Sequence, residues 1–189
     1  MNYLEKIHSY IPKGEQEVND FANILNLMEI FPDTILYREN SIAHFTSSAF
    51  IVNEKKDKVL FVYHNNYNNW TWTGGHADGS NDLLTVAAHD AKEETGVKGI
   101  VPLSEEIAAI DILPIQQHTH NGCYVSAHLH LNLSFLFTVP EDSVVMTKPV
   151  DHKAIAWLPF THLHLFSTEQ HMRPVYNKLC QRLKDTFNK

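Results

Sequence analysis

Hydrophobic residues in the first forty positions recur at helical spacing. Tyr3 to Tyr10 forms a short amphipathic stretch ended by Ile11-Pro12-Lys13-Gly14. From Glu15 to Ile30, Val18, Phe21, Ala22, Leu25 and Met28 form one helical stripe, which Phe31-Pro32-Asp33 stops. From Ile42 the period becomes that of strands. Residues 42–52 and Val59-Leu60-Phe61-Val62-Tyr63 predict two strands joined by the charged turn Asn53 to Lys58. Trp70-Thr71-Trp72 predicts a short extended piece running into Gly74-Gly75. A helix is predicted from Asp82 to Thr95, with Ser80 or Asn81 as N-cap and Gly96 at its stop. Strands over 107–119 and 123–138 follow on either side of Asn121-Gly122, then a strand at 151–158 and a helix from Thr168 to Phe187. The pattern is α/β. The change of period near residue 40 divides the chain into a helical extension, 1–40, and one domain, 41–189.

If Asn121-Gly122 is a two-residue hairpin turn, residue 120 opposes 123 and the register of both strands is set. His128 then opposes Ile115, His130 opposes Leu113, and His118 opposes Val125. Ile110 and Ile112 align with Leu133 and Leu131 as a core face, while His128, His130, Asn132 and Ser134 share the more polar face. The pairs His118/His120 and His128/His130 are expected to project from opposite faces, which argues against one four-histidine metal site. The polar face reads either as a cleft wall that contacts substrate or an extra metal, or as a set of satisfied sheet histidines beneath a helix or loop.

The segment with most chemistry runs from Gly74 to Val97. At about 100° per residue, Asp90, Glu93 and Glu94 fall within an arc of roughly 100° on one side of the predicted helix. Leu84, Ala87, Ala88 and Ala91 form the adjoining apolar stripe. The three acids occupy the last turns, where the helix dipole disfavours negative charge, and like charges at this spacing repel. A divalent cation resolves both conflicts, and oxygen ligands favour Mg²⁺ or Mn²⁺ over zinc. The glycine pair ahead of the helix can offer a backbone carbonyl as a further oxygen.

Composition limits the alternatives. The chain has 189 residues, 43% of them hydrophobic, which is enough for a core without disulfides. Its two cysteines, Cys123 and Cys180, fit no metal or redox spacing, so a reducing, cytoplasmic compartment is expected. The start lacks the pattern of a signal peptide, and no apolar run reaches the roughly 18 residues of a membrane helix. A net charge of -7 argues against coating a nucleic-acid duplex. An acidic protein still handles a phosphorylated small molecule when a cation stands between them.

The segment resembles the Nudix box, G-x5-E-x7-R-E-U-x-E-E-x-G-U, with U a bulky aliphatic. Gly75, Glu93, Glu94, Gly96 and Val97 match directly, and Ala91 stands at an aliphatic position. Trp72-Thr73-Gly74-Gly75 is similar to the aromatic-x-Gly-Gly lead-in of that family. Three positions depart from the pattern: Asn81 stands for the first glutamate, His89 for the arginine and Asp90 for the glutamate after it. Asn81 and His89 replace a charged pair by neutral groups on both sides, and a hydrogen bond between them is expected.

The resemblance implies an α/β/α sandwich with a mixed sheet, and Mg²⁺-dependent cleavage of a phosphoanhydride in a nucleoside diphosphate linked to another moiety. It implies metal ligands at Gly75, Asp90, Glu93 and Glu94. A general base comes from Glu93, Glu94 or Asp151, the last because the family often draws one from a loop near that position. Tyr67, Trp70, His76, His128 and His130 are the candidate substrate contacts. A Nudix-fold nucleotide sensor without turnover is the alternative from a different class. The isomerase branch of the fold commonly uses a cysteine near the glycine lead-in, and none lies there. Partners are expected to be small-molecule nucleotides or other diphosphates, with no membrane; residues 1–40 either cap the domain or pair two copies in a homodimer.

Overall fold

A computed structural model describes residues 2–65, 68–120, 122–147, 152–166 and 168–187. Two N-terminal helices, α1 (Tyr3–Ser9) and α2 (Gly14–Ile30), precede the strands β1 (Ala43–Val52), β2 (Lys58–His64), β3 (Asn69–Thr71) and β4 (Thr73–His76). Helix α3 (Leu83–Thr95) comes next. It is followed by β5 (Val101–Pro102), β6 (Ala109–Ile115), β7 (His118–His120), β8 (Cys123–Val125), β9 (His128–Thr138) and β10 (His152–Pro159). A 3₁₀ turn, Phe160–His162, leads into α4 (Leu163–Phe166) and α5 (Met172–Phe187). Among the described residues, no helix is long and apolar enough to cross a membrane.

All ten residues of β1 are buried, as expected of a strand covered on both faces. It lies parallel to β9 and antiparallel to β2 and β4, so the sheet is mixed, in the order β10-β2-β1-β9-β5 with β3, β4 and β6 alongside. Alternation along β1 divides the core in two. Phe45, Ala49 and Ile51 meet Leu131, Leu133 and Phe135 beneath α3 and the N-terminal helices. Phe50 and Val52 meet Phe61, Leu136, Tyr176 and Leu179 beneath α5. The result is the expected α/β/α sandwich.

The N-terminal helices share that first core: Tyr3, Ile7 and Ile24 are buried in it, with Ile35 of the turn that follows α2. Val18, expected on the inner stripe of α2, is 52% exposed, and Glu17 is fully buried in its place. Glu17 turns inward because cations await it. Its carboxylate meets Arg182 at 2.7 Å and Lys178 at 3.3 Å, and accepts from the Lys13 backbone N–H at 2.7 Å. Lys178 also meets Asp111 of β6 at 2.8 Å, so one buried ionic cluster ties α2, β6 and α5 together.

The predicted pairing of β6 with β9 holds from Ala109↔Ser134 to Ile115↔His128, and His118 opposes Val125. The two long strands nevertheless break at 116–117 and 126–127, leaving β7 and β8 as a separate hairpin. Asn121 of its turn lies outside the described residues. The helix begins one residue later than expected. Asp82 is its N-cap, accepting from Thr85 N at 3.2 Å, while the Asn81 carbonyl is taken by Tyr3 N at 2.9 Å.

Candidate active site

Leu83, Ala87, Ala91 and Thr95 seat α3 on the sheet, and Ser47 of β1 fixes its first turn by donating to the Leu83 carbonyl at 2.6 Å. At the other end Gly96 adopts φ +70°, where a side chain is disfavoured, and its N–H closes on Lys92 O. This placement brings the last two turns of α3 against β4. A β-carbon on Gly74 would lie 2.5 Å from the Ser47 carbonyl oxygen, and one on Gly75 would intrude closer than 3.0 Å on Asp90 Oδ2. Gly74 is required by close approach, since it lets β4 reach β1, and Gly75 makes room for the Asp90 carboxylate where it stands.

Asp90 is 22% exposed at its side chain. Burial raises its pKa, and the charges of Glu93 and Asp78 add to the rise against the opposing effect of His89. His89 Nδ1 stands 3.3 Å from Asp90 Oδ1. His89, Asp90 and Glu93 each bring one ligand atom within 4.8 Å of the others. Glu94 is held more firmly. Its Oε1 accepts from Gly74 N–H at 3.1 Å, and its Oε2 lies 3.4 Å from Nε2 of His152, which is almost wholly buried. Beside the cluster, Arg38 donates to Asp78 through Nε at 2.7 Å and through a second guanidinium nitrogen.

The structure gathers Gly75, Asp90, Glu93 and Glu94 at one place. It does not pair Asn81 with His89: the two share no hydrogen bond, because His89 turns to Asp90. Trp70 packs edge-on against Tyr63 with centroids 5.4 Å apart, and Trp72 is a core residue against Tyr176 at 5.3 Å. Tyr67 and Asp151 lie outside the described residues. His152, the neighbour of Asp151, was not singled out from the sequence, and no local signal marks it; only the pairing of β10 with β2 carries it to Glu94.

His76, His128 and His130 come together on the opposite face of the sheet from Asp90, with a fourth ring, His44, among them. His44 faces His130 across the parallel pair β1–β9, and Thr46 faces both Asn132 and His76. Burial depresses His44, takes His76 to about 4 and takes His130 to about 2, so these rings are neutral at pH 7. Beside them Asn132 accepts from Thr46 at 3.1 Å and Ser48 at 2.8 Å, and donates to Ser134 at 3.0 Å. The shared polar face expected for His128, His130, Asn132 and Ser134 is therefore present. The expected separation of the two histidine pairs is not complete, since the break before β7 lets the His118 ring come within 6.1 Å of His128.

Known structures share this fold. An Ap4A hydrolase from C. elegans in a binary complex superposes with a TM-score of 0.56 at 15% identity, covering 75% of this chain and 98% of that one. A MutT protein from Methanosarcina mazei Go1 gives 0.55 at 16% identity, covering 78% and 98%. The dihydroneopterin triphosphate pyrophosphohydrolase of E. coli gives 0.52 at 13% identity, covering 71% and 92%. At such identities the likeness is one of fold. No curated protein sequence matches the chain. The family profile described as NUDIX domain matches residues 43–179, most of the chain and all of the box, and the protein is thus a member of the Nudix family.

Proposed function

We propose that this protein is a divalent-metal-dependent hydrolase that cleaves a phosphoanhydride in a nucleoside diphosphate linked to another moiety. The observation that carries this reading is the seating of Asp90 on the bare Cα of Gly75, with Glu93 beside it and Glu94 fixed behind. The donor set fits a hard cation. Among the described residues Asp90 has no hydrogen-bond partner other than His89, and Arg38, which feels its charge, is engaged by Asp78. Asp90, Glu93 and Glu94, with the Gly75 carbonyl, would hold Mg²⁺, for which Mn²⁺ can substitute. Such an ion neutralises diphosphate oxygens and lowers the pKa of water.

The chain's own residues supply the rest. Gly74 N–H holds one oxygen of Glu94 and His152 Nε2 stands 3.4 Å from the other, and an oriented carboxylate at this position suits the removal of a proton from the attacking water. Asp151, next to His152 in the chain, is the other candidate base. Trp70 offers an aromatic surface for a base. The names of the structural neighbours, Ap4A hydrolase and dihydroneopterin triphosphate pyrophosphohydrolase, support a phosphoanhydride substrate.

A nucleotide-sensing module without turnover is the second reading, favoured by the same departures at Asn81, His89 and Asp90. A Mg²⁺-dependent hydrolysis screen over nucleoside triphosphates, ADP-ribose, dinucleoside polyphosphates and coenzymes, run beside thermal shift, decides between them. Product release that stops with chelator supports the hydrolase. Stabilisation by a nucleotide with no product supports the sensor.

A further inference from the structure

A second cluster of ligating side chains lies on the far face of β1, and the proposed hydrolysis makes no use of it. The rings of His44, His76 and His130 sit with centroids 5.0–5.1 Å apart. One nitrogen of each lies within 4.8 Å of the others. His128 stands against two of them, 4.9 Å from His44 and 5.0 Å from His130. Three strands contribute: β1 at its start, β4 at its end and β9 at its start.

At His44 the hydrogen bonds fix which nitrogen is bare. His44 Nδ1 is 2.9 Å from the Asn40 carbonyl, which can only accept, so Nδ1 carries the proton and Nε2 keeps its lone pair. That Nε2 is buried and has no partner among the described residues, in a side chain 2% exposed. His128 Nδ1 likewise stands 2.9 Å from the Ser126 carbonyl, and its Nε2 shares a hydrogen bond of 3.1 Å with His130 Nε2, a contact that an ion bound by both rings would replace. A ligating histidine typically donates its other ring N–H to a carbonyl, which fixes ring and tautomer together. Two nitrogens on a tetrahedral ion at about 2.0–2.1 Å lie ~3.3 Å apart, close to the His128–His130 separation.

We propose that His44, His76 and His130 form a tris-imidazole site for a borderline divalent transition metal, of which Zn²⁺ is the representative, with the fourth position open to His128 or solvent. Neutral imidazoles without a carboxylate suit zinc and its neighbours and are poor ligands for Mg²⁺, so this centre is chemically distinct from the acidic one on α3. The ion would pin β1, β4 and β9 at one edge. His76 and His130 are only partly buried and give it access from solvent.

The test uses tag-free full-length protein, stripped by chelator, with Zn²⁺ alone as the titrant and Co²⁺ as the spectroscopic probe. With excess Mg²⁺ present to occupy the acidic site, one zinc per chain is expected to bind and raise Tm, and Co²⁺ to give the ligand-field bands of a nitrogen-rich, low-coordinate ion. His76→Ala and His130→Ala should each weaken zinc by about 100-fold or more, since even second-layer partners cost 10–100-fold. His118→Ala and Glu93→Gln should leave the stoichiometry at one. Absence of a stoichiometric zinc overturns the site, as does wild-type affinity in both histidine variants, or loss of zinc in Glu93→Gln alone. Because His76 is partly exposed, circular dichroism of its variant separates loss of ligand from loss of fold.

Discussion

Gly75 and Asp90 are packed so closely that a β-carbon on the glycine would come within 3.0 Å of the aspartate's Oδ2. The glycine is a spatial requirement of the carboxylate and has no strained φ of its own. Gly75→Ala is therefore expected to push Asp90 off its position. A displacement of about 1 Å at such a site costs on the order of 10²-fold in rate. Steady-state hydrolysis with the substrate found in the screen, together with Mg²⁺ affinity, checks it; an unchanged rate would detach Asp90 from the chemistry.

Glu94→Gln keeps an oxygen for Gly74 N–H but removes the charge that would take a proton. Turnover should fall by about 10²–10⁴-fold with Tm little changed. Mg²⁺ affinity should fall less than kcat; if it falls as steeply, Glu94 acts as a ligand alone and the base lies elsewhere, with Asp151→Asn the next variant to measure.

Glu17 is fully buried between Arg182 and Lys178. Burial pushes its carboxyl upward, but the Lys13 N–H, the Tyr10 hydroxyl and the two cations outweigh that and hold it below the ordinary value. Glu17→Gln leaves buried cations without their partner and should cost about 3–5 kcal/mol at pH 7. Because the folded pKa is depressed, this stability is present above the unfolded value and is lost as pH falls through the folded one. The Tm gap between wild type and variant should thus shrink below roughly pH 4.3.

Asp111 behaves with the opposite sign. Burial lifts its carboxyl to about 6 despite Lys178, and its Oδ2 is buried without a partner among the described residues. A raised folded pKa contributes stability that is complete below the unfolded value and lost as pH rises through about 6. Asp111→Asn should accordingly gain on the wild type between about pH 4 and pH 6 and keep that gain above it. Tm measured across that range checks the slope, and a variant that loses ground with rising pH would refute it.

Local pattern was enough for much of the frame. The hairpin register followed from the turn position, and with it the shared face of His128, His130, Asn132 and Ser134, because side-chain direction in a strand has a period of two. The acids of α3 were legible for the same kind of reason, since three side chains at i, i+3 and i+4 must share a helix face. The cap was misplaced by one residue because Ser80, Asn81 and Asp82 all suit that role, and the choice fell to Tyr3, which takes the Asn81 carbonyl. Likewise the stripe of α2 predicted Val18 inside. Glu17 went in because two cations from α5, over 160 positions later, wait there.

Short-range periodicity by itself determined the α/β order, the box on its helix and the antiparallel registers of β6 with β9 and β7 with β8, all properties of neighbours along the chain. Tertiary structure alone decided that β1 runs parallel to β9, which sets His44 beside His130, and that β10 pairs with β2, which carries His152 to Glu94. Parallel and long-range pairings join segments with no turn between them, so their register is set by what both faces must bury, and no local repeat encodes it.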